Sequence, residues 1–317
     1  MRLIFMGTAS FAVPSLELLA SGPDTVSAVV TQPDRPSGRR LRVNASPVRS
    51  AAISLGLAVS QPGDLQGDEL RRWIAGLGPD VIVVVAYGKR IPPWLIHHPP
   101  RGIVNLHGSL LPRYRGAAPV NWAIARGESR TGVCTMQIDE GLDTGPVYGC
   151  RETDIGPEES APELAGRLAR LGAGLLLETL SSIAQGRSGP RPQCGRRATL
   201  APRLRREDGY VRWEESSASV HNKIRAFLPW PAVTVDFRGQ RCRLIESRVG
   251  EPATGPGEPG DIAVTEGGLA VRCGDGRMLD ILKLQLENRR VSSGAGFANG
   301  FRLKDGDCFT SLAATPG

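Results

Sequence analysis

The sequence predicts an α/β protein with a doubly wound, mostly parallel sheet domain followed by a smaller OB-like β-barrel domain. Through the first half, short apolar runs alternate with segments of helical spacing. Val81–Val85 is purely apolar and β-branched, as in strands buried on both faces of a parallel sheet. After a segment rich in Gly, Pro and Arg, the pattern changes to short strands and Gly-containing turns. These observations divide the chain into residues 1–188, a basic linker at 189–206, and residues 207–317.

The elements of the first domain follow from the apolar pattern in chain order. Strands are predicted at residues 3–6, 26–31, 81–85, 103–106 and 133–138, and helices at 13–20, 47–55, 69–77 and 158–185. Doubly wound sheets place ligands at the carboxyl ends of their strands. A site is therefore expected where residues 81–85 and 103–106 end.

The second domain is predicted to contain one helix and several short strands. The helix covers residues 219–227, and the strands cover 234–237, 241–247, 261–264, 269–273 and 278–286. Trp230, which lies between two prolines, is expected to pack in a core, with base stacking as the alternative.

Composition narrows the class of protein. Of the 317 residues, 40% are hydrophobic and 22% charged, and no stretch approaches the length of a membrane span. The apolar N-terminus is interrupted by Gly7 and Thr8, which favours a first strand over a signal peptide. The six cysteines form no C-x-x-C pair, so we expect neither a zinc site nor a dense disulfide framework. A protein without metal, in the reducing cytoplasm, is predicted.

Positive charge is concentrated in one segment of the chain. The net charge is +7, and residues 190–206 hold six arginines but no acidic residue. Such a run is typical of a surface that binds a polyanion, and it is equally compatible with a solvated linker.

A candidate site for acyl transfer follows the strand at 103–106. Strand alternation places Asn105 and His107 on the same face, about 7 Å apart. Asp143 lies in a glycine-punctuated loop after the next strand. An amide and an imidazole can stabilise charge on a carbonyl oxygen, and a His held by a carboxylate can transfer protons near neutral pH. Each residue also has a structural alternative: His107 at a strand end, Asp143 capping a turn, and Asn105 pairing with a loop.

Several motifs resemble the folate-dependent formyltransferase superfamily along almost the entire chain. They are VVAYG at 84–88, the N-x-H-G-S-L-L-P-x-Y-R-G-A-A-P string at 105–119, EGLDTG at 140–145, APRLRREDG at 201–209, IRAFLPWP at 224–231 and FANGFRL at 297–303. The second-domain motifs are similar to those of the branch that formylates the amino group of initiator methionyl-tRNA. The resemblance implies 10-formyltetrahydrofolate as the formyl donor, a catalytic domain at 1–188 and a tRNA-binding domain at 207–317.

The resemblance also assigns roles to residues of the catalytic domain. Asn105 and His107 would polarise the formyl carbonyl, and Asp143 would orient His107 and help to remove a proton from the amine. Residues that would line the folate site are Ser109, Leu110, Leu111 and Pro112, with backbone of Ala86, Tyr87 and Gly88 meeting the pterin. No metal is implied, and we expect a monomer that does not bind membranes.

The loop at residues 32–43 resembles the family's substrate loop. Arg39, Arg40 and Arg42 would contact the acceptor end of the tRNA, although solvated arginines are the alternative for Arg40 and Arg42. This chain has Arg40, Leu41 and Arg42 where the family usually has Gly-Lys-Lys, and Ala9-Ser10 where Pro-Asp is common. Two other functions stay open: a formyltransferase acting on an amino sugar nucleotide, and an inactive tRNA-binding protein.

Overall fold

A computed structural model describes residues 1–37, 42–187, 189–265, 268–304 and 306–312, without the side chains of 35–37 and 42–43. The chain divides into two compact units. The first unit comprises Met1–Pro119, Arg130–Asp154 and Ala165–Pro202, and the second comprises Val120–Ser129, Ile155–Leu164 and the chain from Arg203 onward. The first unit thus includes residues 189–202, and the division at 188 and 206 stays a prediction.

Eleven strands and six α-helices are described along the chain up to Pro202. In order they are β1 (Arg2–Gly7), α1 (Val13–Ala20), β2 (Thr25–Val30), β3 (Arg35–Ser37), β4 (Arg42–Asn44), α2 (Pro47–Ser54), β5 (Val59–Ser60), α3 (Asp68–Leu77), β6 (Val81–Val85), α4 (Pro93–Ile96), β7 (Ile103–His107), β8 (Arg115–Gly116), α5 (Pro119–Ala125), β9 (Arg130–Gln137), β10 (Val147–Asp154), α6 (Ala161–Ala184) and β11 (Leu200–Ala201).

One seven-stranded sheet organises the first unit, in the order β5-β2-β1-β6-β7-β9-β10. The first five strands in this order are parallel, and β9 and β10 are antiparallel to their neighbours. The predicted doubly wound, mostly parallel sheet is therefore confirmed. Strand β10 was not predicted, because half of its residues are exposed and its sequence has no regular apolar alternation.

Both faces of the sheet are covered by helices. On one face, Ile82, Val84 and Ile103 belong to a buried cluster with Leu70 and Ile74 of α3 and with residues of α4. On the other face, α6 approaches β7 so closely that a Cβ on Gly172 would lie 2.7 Å from the Leu106 side chain. Because both faces are covered, the carboxyl ends of the strands are where the sheet can meet a ligand.

A disulfide joins Cys134 of β9 to Cys150 of β10. The two cysteines face each other in the antiparallel register, with their Cα atoms 4.1 Å apart. Such a cross-strand pairing depends on the hairpin register, which the separation of the two cysteines in the sequence does not reveal. The sequence analysis predicted that several disulfides would not be found, and it did not predict this one.

The second unit contains an antiparallel sheet that curls on itself. Its elements are α7 (Ser217–Ala226), β12 (Thr234–Phe237), β13 (Gln240–Pro252), β14 (Ile262–Thr265), β15 (Gly268–Arg272), β16 (Arg277–Leu286), β17 (Ser292–Ser293), α8 (Gly294–Phe301) and β18 (Thr310–Ser311). The strand order is β14-β15-β16-β13-β12-β18, and a bridge between Asp261 and Cys308 connects the two edges. This curled sheet confirms the predicted second domain of the fold.

The core of the second unit is rich in aromatic rings. Phe237, Phe297 and Phe309 pack against one another, and Trp213 stacks on Phe309. Helix α8 was not predicted, because three of its eight residues are glycine and glycine disfavours helices. The prediction that Trp230 packs in a core is wrong: this side chain is 53% exposed. No helix within the described ranges is long and apolar enough to cross a membrane.

Candidate active site

Asn105 and His107 lie at the carboxyl end of β7, beside the end of β6. Asn105 pairs in register with Val84 of β6 and Met136 of β9, and its side chain is half-buried. Within the described ranges, its carboxamide has no hydrogen-bond partner. An amide held on a rigid strand, with its donors unused, can donate to a ligand without first breaking another bond.

The hydrogen bonds of His107 define which ring nitrogen carries a hydrogen. Nε2 is 2.9 Å from the carbonyl oxygen of Tyr114, which can only accept, so Nε2 donates. Nδ1 faces the carboxylate of Asp143 at 3.7 Å, and the two side chains are only 7% and 17% exposed. The Asp143 carboxylate is therefore placed to orient the His107 ring from the side opposite Tyr114.

Asp143 is held in a left-handed backbone conformation, with φ of 52°. Its Oδ2 accepts a hydrogen bond from the backbone N–H of Gly116 at 2.8 Å, and Oδ1 has no partner in the part of the chain that the structure describes. The loop itself is closed by Asp139, which accepts from Gly141 N at 3.0 Å and from Thr144 Oγ1 at 2.7 Å. Turn closure is thus the role of Asp139, which leaves the carboxylate of Asp143 free to face His107.

The segment predicted as a linker packs against the loops of this site. Strand β11 pairs with β8 in parallel, with Leu200 opposite Arg115 and Ala201 opposite Gly116. A Cβ on Gly116 would lie 2.4 Å from the Ala201 carbonyl oxygen, so only glycine allows the two strands to approach this closely. The strand therefore supports the backbone N–H group that binds Asp143.

The residues predicted to line the folate site form the turn after β7. Ser109 is buried, and its hydroxyl donates to the Arg113 carbonyl at 2.6 Å, so it stabilises the turn itself. The N–H of Leu111 donates to Cys134 Sγ at 3.3 Å, which ties the turn to β9. Leu110, Leu111 and Pro112 are half-buried. Partly exposed apolar side chains beside a strand end suit the flat ring of a folate.

The second part of the predicted folate site follows β6. Ala86 and Gly88 are exposed, whereas the side chain of Tyr87 is buried, and burial raises the pKa of its phenol to about 12. The Tyr87 carbonyl accepts from Gln32 Nε2 at 2.6 Å and from Thr8 Oγ1 at 3.0 Å. The φ angle of Gly88 is 81°, a conformation that favours glycine, and a Cβ there would lie 2.7 Å from Gln32 Nε2. The exposed backbone at 86 and 88 fits recognition of a donor-rich ring edge.

Two of the three predicted tRNA-contacting arginines, Arg39 and Arg40, lie outside the described residues. Arg42 belongs by its backbone to β4, which pairs antiparallel with β3, and its side chain is not described. The base of this ribbon is anchored by Asp34, which accepts from Arg49 at 2.5 Å and from Gln61 at 2.8 Å.

Three groups at the site were missed by sequence reasoning. They are the carbonyl of Tyr114, the N–H of Gly116 and the side chain of Gln193, which donates to the carbonyls of Asp143 and Gly145. The first two are backbone groups, which the side-chain pattern does not mark. Gln193 stands in a segment without apolar periodicity, and nothing in its neighbourhood distinguishes it.

The carboxyl edge of the sheet carries the amide of Asn105 beside the His107–Asp143 pair. These groups are the ones that an acyl-transfer enzyme uses to stabilise a carbonyl oxygen and to move protons. Comparison with known families agrees with this class. Residues 1–180 match the family described as formyl transferase, and residues 203–302 match its C-terminal domain. The chain belongs to the formyl transferase family.

Similar proteins include several methionyl-tRNA formyltransferases. That of Solibacter usitatus is 46% identical over 309 residues, which cover 97% of this chain and 98% of the relative. That of Koribacter versatilis is 44% identical over 315 residues, covering 99% and 100%. Among solved structures, an N-formyltransferase from Helicobacter canadensis in complex with folinic acid and dTDP-3-aminofucose has a TM-score of 0.68 at 18% identity, covering 88% of this chain and 98% of that one. This last likeness concerns the fold.

Proposed function

We propose that this chain transfers the formyl group of 10-formyltetrahydrofolate to the amino group of initiator methionyl-tRNA, as a cytoplasmic monomer that needs no metal. The pairing of His107 with Asp143 at a folate-compatible strand edge is the observation that carries this proposal. It is supported by relatives named methionyl-tRNA formyltransferase that match nearly the full chain at 44–46% identity.

Asn105, His107 and Asp143 have different roles in the proposed formyl transfer. When bound, the folate supplies an electrophilic formyl carbon attached to nitrogen. The free amide of Asn105 donates a hydrogen bond to the carbonyl oxygen, where negative charge develops during attack. The carboxylate of Asp143 faces Nδ1 of His107 at 3.7 Å and orients the ring, which assists the same oxygen.

Proton removal from the attacking amine is assigned to the second oxygen of Asp143. Oδ2 is held by Gly116 N–H, while Oδ1 has no partner in the described part of the chain and can accept a proton. Direct attack needs no enzyme nucleophile: the hydroxyl of Ser109 is already committed to the Arg113 carbonyl. Asp143 thus orients His107 and receives the proton, which would pass to the folate nitrogen as the bond between that nitrogen and the formyl carbon breaks.

Exposed arginines favour tRNA as the acceptor. All six arginines between residues 190 and 206 are exposed, namely Arg191, Arg196, Arg197, Arg203, Arg205 and Arg206. None of them forms an ion pair with any acidic residue that the structure describes. In the second unit, the Gly209 turn after Arg206 packs on Pro231, next to the exposed Trp230. Exposed cations suit the phosphates of RNA, and the exposed indole of the second unit suits its bases.

A formylation assay tests the proposal directly. Purified protein is incubated with 10-formyltetrahydrofolate and methionylated initiator tRNA, in the presence of a chelator, and formylmethionyl-tRNA is measured. Product is expected. An amino sugar nucleotide is offered in a parallel reaction, because the Helicobacter structure shares the fold. Formylation of the sugar alone would overturn the proposal, and formylation of neither would favour an inactive tRNA-binding protein.

Arg205 and Arg206 are expected to contribute to tRNA binding through phosphate contacts. The double variant Arg205→Gln/Arg206→Gln should weaken tRNA binding and lower the slope of log Kd against log salt by about 1 to 2. The matched control is Arg289→Gln/Arg290→Gln, which removes the same charge from two other exposed arginines of the second unit. Equal slopes for the two double variants would contradict a specific role for Arg205 and Arg206.

A further inference from the structure

We infer that Gln193 is a positioning residue for catalysis, because its amide holds the main chain of Asp143 in place. Gln193 lies in the segment that the sequence predicts as a linker, and its side chain is half-buried. Nε2 donates to the carbonyl of Asp143 at 2.9 Å and to the carbonyl of Gly145 at 2.7 Å. One side chain thus binds two main-chain carbonyls of the turn that carries the Asp143 carboxylate.

The orientation of the Gln193 amide is determined by its partners. Its Oε1 accepts from Nε and Nη2 of Arg115 at 3.1 and 2.7 Å. A guanidinium can only donate and a backbone carbonyl can only accept, so the amide satisfies all four contacts in one orientation alone. The side chain of Gln193 therefore acts as a connector between Arg115 and the loop of Asp143.

These contacts close a ring of hydrogen bonds around Asp143. The main chain of Asp143 is joined through Gln193 to Arg115, and the adjacent Gly116 donates to its carboxylate at 2.8 Å. The main-chain carbonyl and the side-chain carboxylate of Asp143 are thereby both linked by hydrogen bonds to the same short strand, β8. Because φ at Asp143 is 52°, a conformation that non-glycine residues rarely adopt, the loop needs such support to keep its shape.

The distance between Asp143 and His107 depends on this ring. His107 is fixed by β7 and by its bond to Tyr114, whereas Asp143 lies on a loop. Loosening the loop would change the 3.7 Å separation of Nδ1 from Oδ2 without removing either group. A misplacement of about 1 Å at a catalytic group can lower a rate about 100-fold.

The test is Gln193→Glu, in formylation assays that rest on the proposed function. Glutamate keeps the size of the side chain and its contact with Arg115, but presents an oxygen to the two carbonyls in place of N–H groups. We expect kcat to fall about 10- to 100-fold, with KM for tRNA and folate changed less than about 3-fold. Gln193→Met, which removes the donors without adding charge, should lower kcat in the same way.

Two comparisons separate positioning from general damage. Gln185→Glu makes the same substitution at an exposed glutamine directly after α6 and should leave kcat unchanged. In an Asp143→Asn background, Gln193→Glu should cost less than about 2-fold, because a residue that acts through Asp143 has nothing left to position. If the two effects multiply in the double variant, Gln193 acts elsewhere and the inference is overturned.

Hydrogen exchange gives a readout that does not require turnover. In Gln193→Glu, backbone amides of residues 139–145 should exchange faster than in the wild type and in Gln185→Glu, with β6 and β7 unchanged. Unaltered exchange in that loop would refute the inference, even for a protein that formylates nothing. A wild type inactive on methionyl-tRNA would refute the proposed function alone, so the two failures are distinguishable.

Discussion

Asp143→Asn is expected to lower kcat for formyl transfer by about 100- to 10,000-fold, the range that proton transfer by a side chain contributes. Asparagine fits the same space, and its carbonyl oxygen can still accept from Gly116 N–H. It presents no negative charge to the His107 ring, and its oxygen is a poor acceptor for the proton of the amine. Single-turnover formylation measures the loss, and thermal unfolding shows whether the fold is kept.

Asp64→Asn is the matched control for this prediction. Asp64 belongs to the same unit, is exposed, and also accepts from a backbone N–H, that of Gln66 at 3.1 Å. This variant should formylate at the wild-type rate. A near-normal rate for Asp143→Asn would remove Asp143 from the mechanism, and equal losses in the two variants would indicate an unspecific effect.

Asn105→Ala is expected to lower kcat by about 100- to 1,000-fold, as removal of one preorganised donor to a developing oxyanion does. The cost to stability should be small, since the carboxamide bonds to no other group of the described chain and the alanine keeps its place on β7. The loss should appear in kcat, with KM for both substrates nearly unchanged, because the interaction strengthens as charge develops.

Asn121→Ala provides the contrast for Asn105→Ala. The amide of Asn121 donates to the Ala226 carbonyl at 2.7 Å, so its removal costs a structural hydrogen bond. We expect this variant to unfold at a lower temperature and to keep its kcat. If Asn105→Ala shows the same signature, with lower stability and a normal rate, Asn105 has a structural role.

The elements with a regular pattern of apolar residues could be predicted from the sequence. Val81–Val85 and the apolar run before Asn105 have the period and composition of buried parallel strands, and the structure has them as neighbours. Both Asn105 and His107 belong to one strand, and the two-residue period of a strand predicts that their side chains share a face. Their catalytic roles, with that of Asp143, remain predictions that the variants above test.

The parts that depend on single long-range contacts could not be predicted. Strand β11 has two residues, too few for any period, and its partner β8 lies far away in the chain. Trp230 was assigned to a core because tryptophan is usually buried, yet in this unit Trp213 and three phenylalanines already form the aromatic core. Which of two tryptophans is buried depends on the three-dimensional packing.

The pairing of Leu200 and Ala201 with Arg115 and Gly116 has a consequence for how this architecture can be recombined. A graft that replaced the chain from residue 189 onward would exchange β11 and Gln193 together with the second unit, and so would place foreign supports beside the recipient's active site. A junction after Pro202 leaves β11 and Gln193 with the rest of the first unit. Hybrids joined after Pro202 should retain the catalytic activity of the parent that supplies the first unit. Hybrids joined before β11 combine the active-site residues of one parent with the supporting residues of the other.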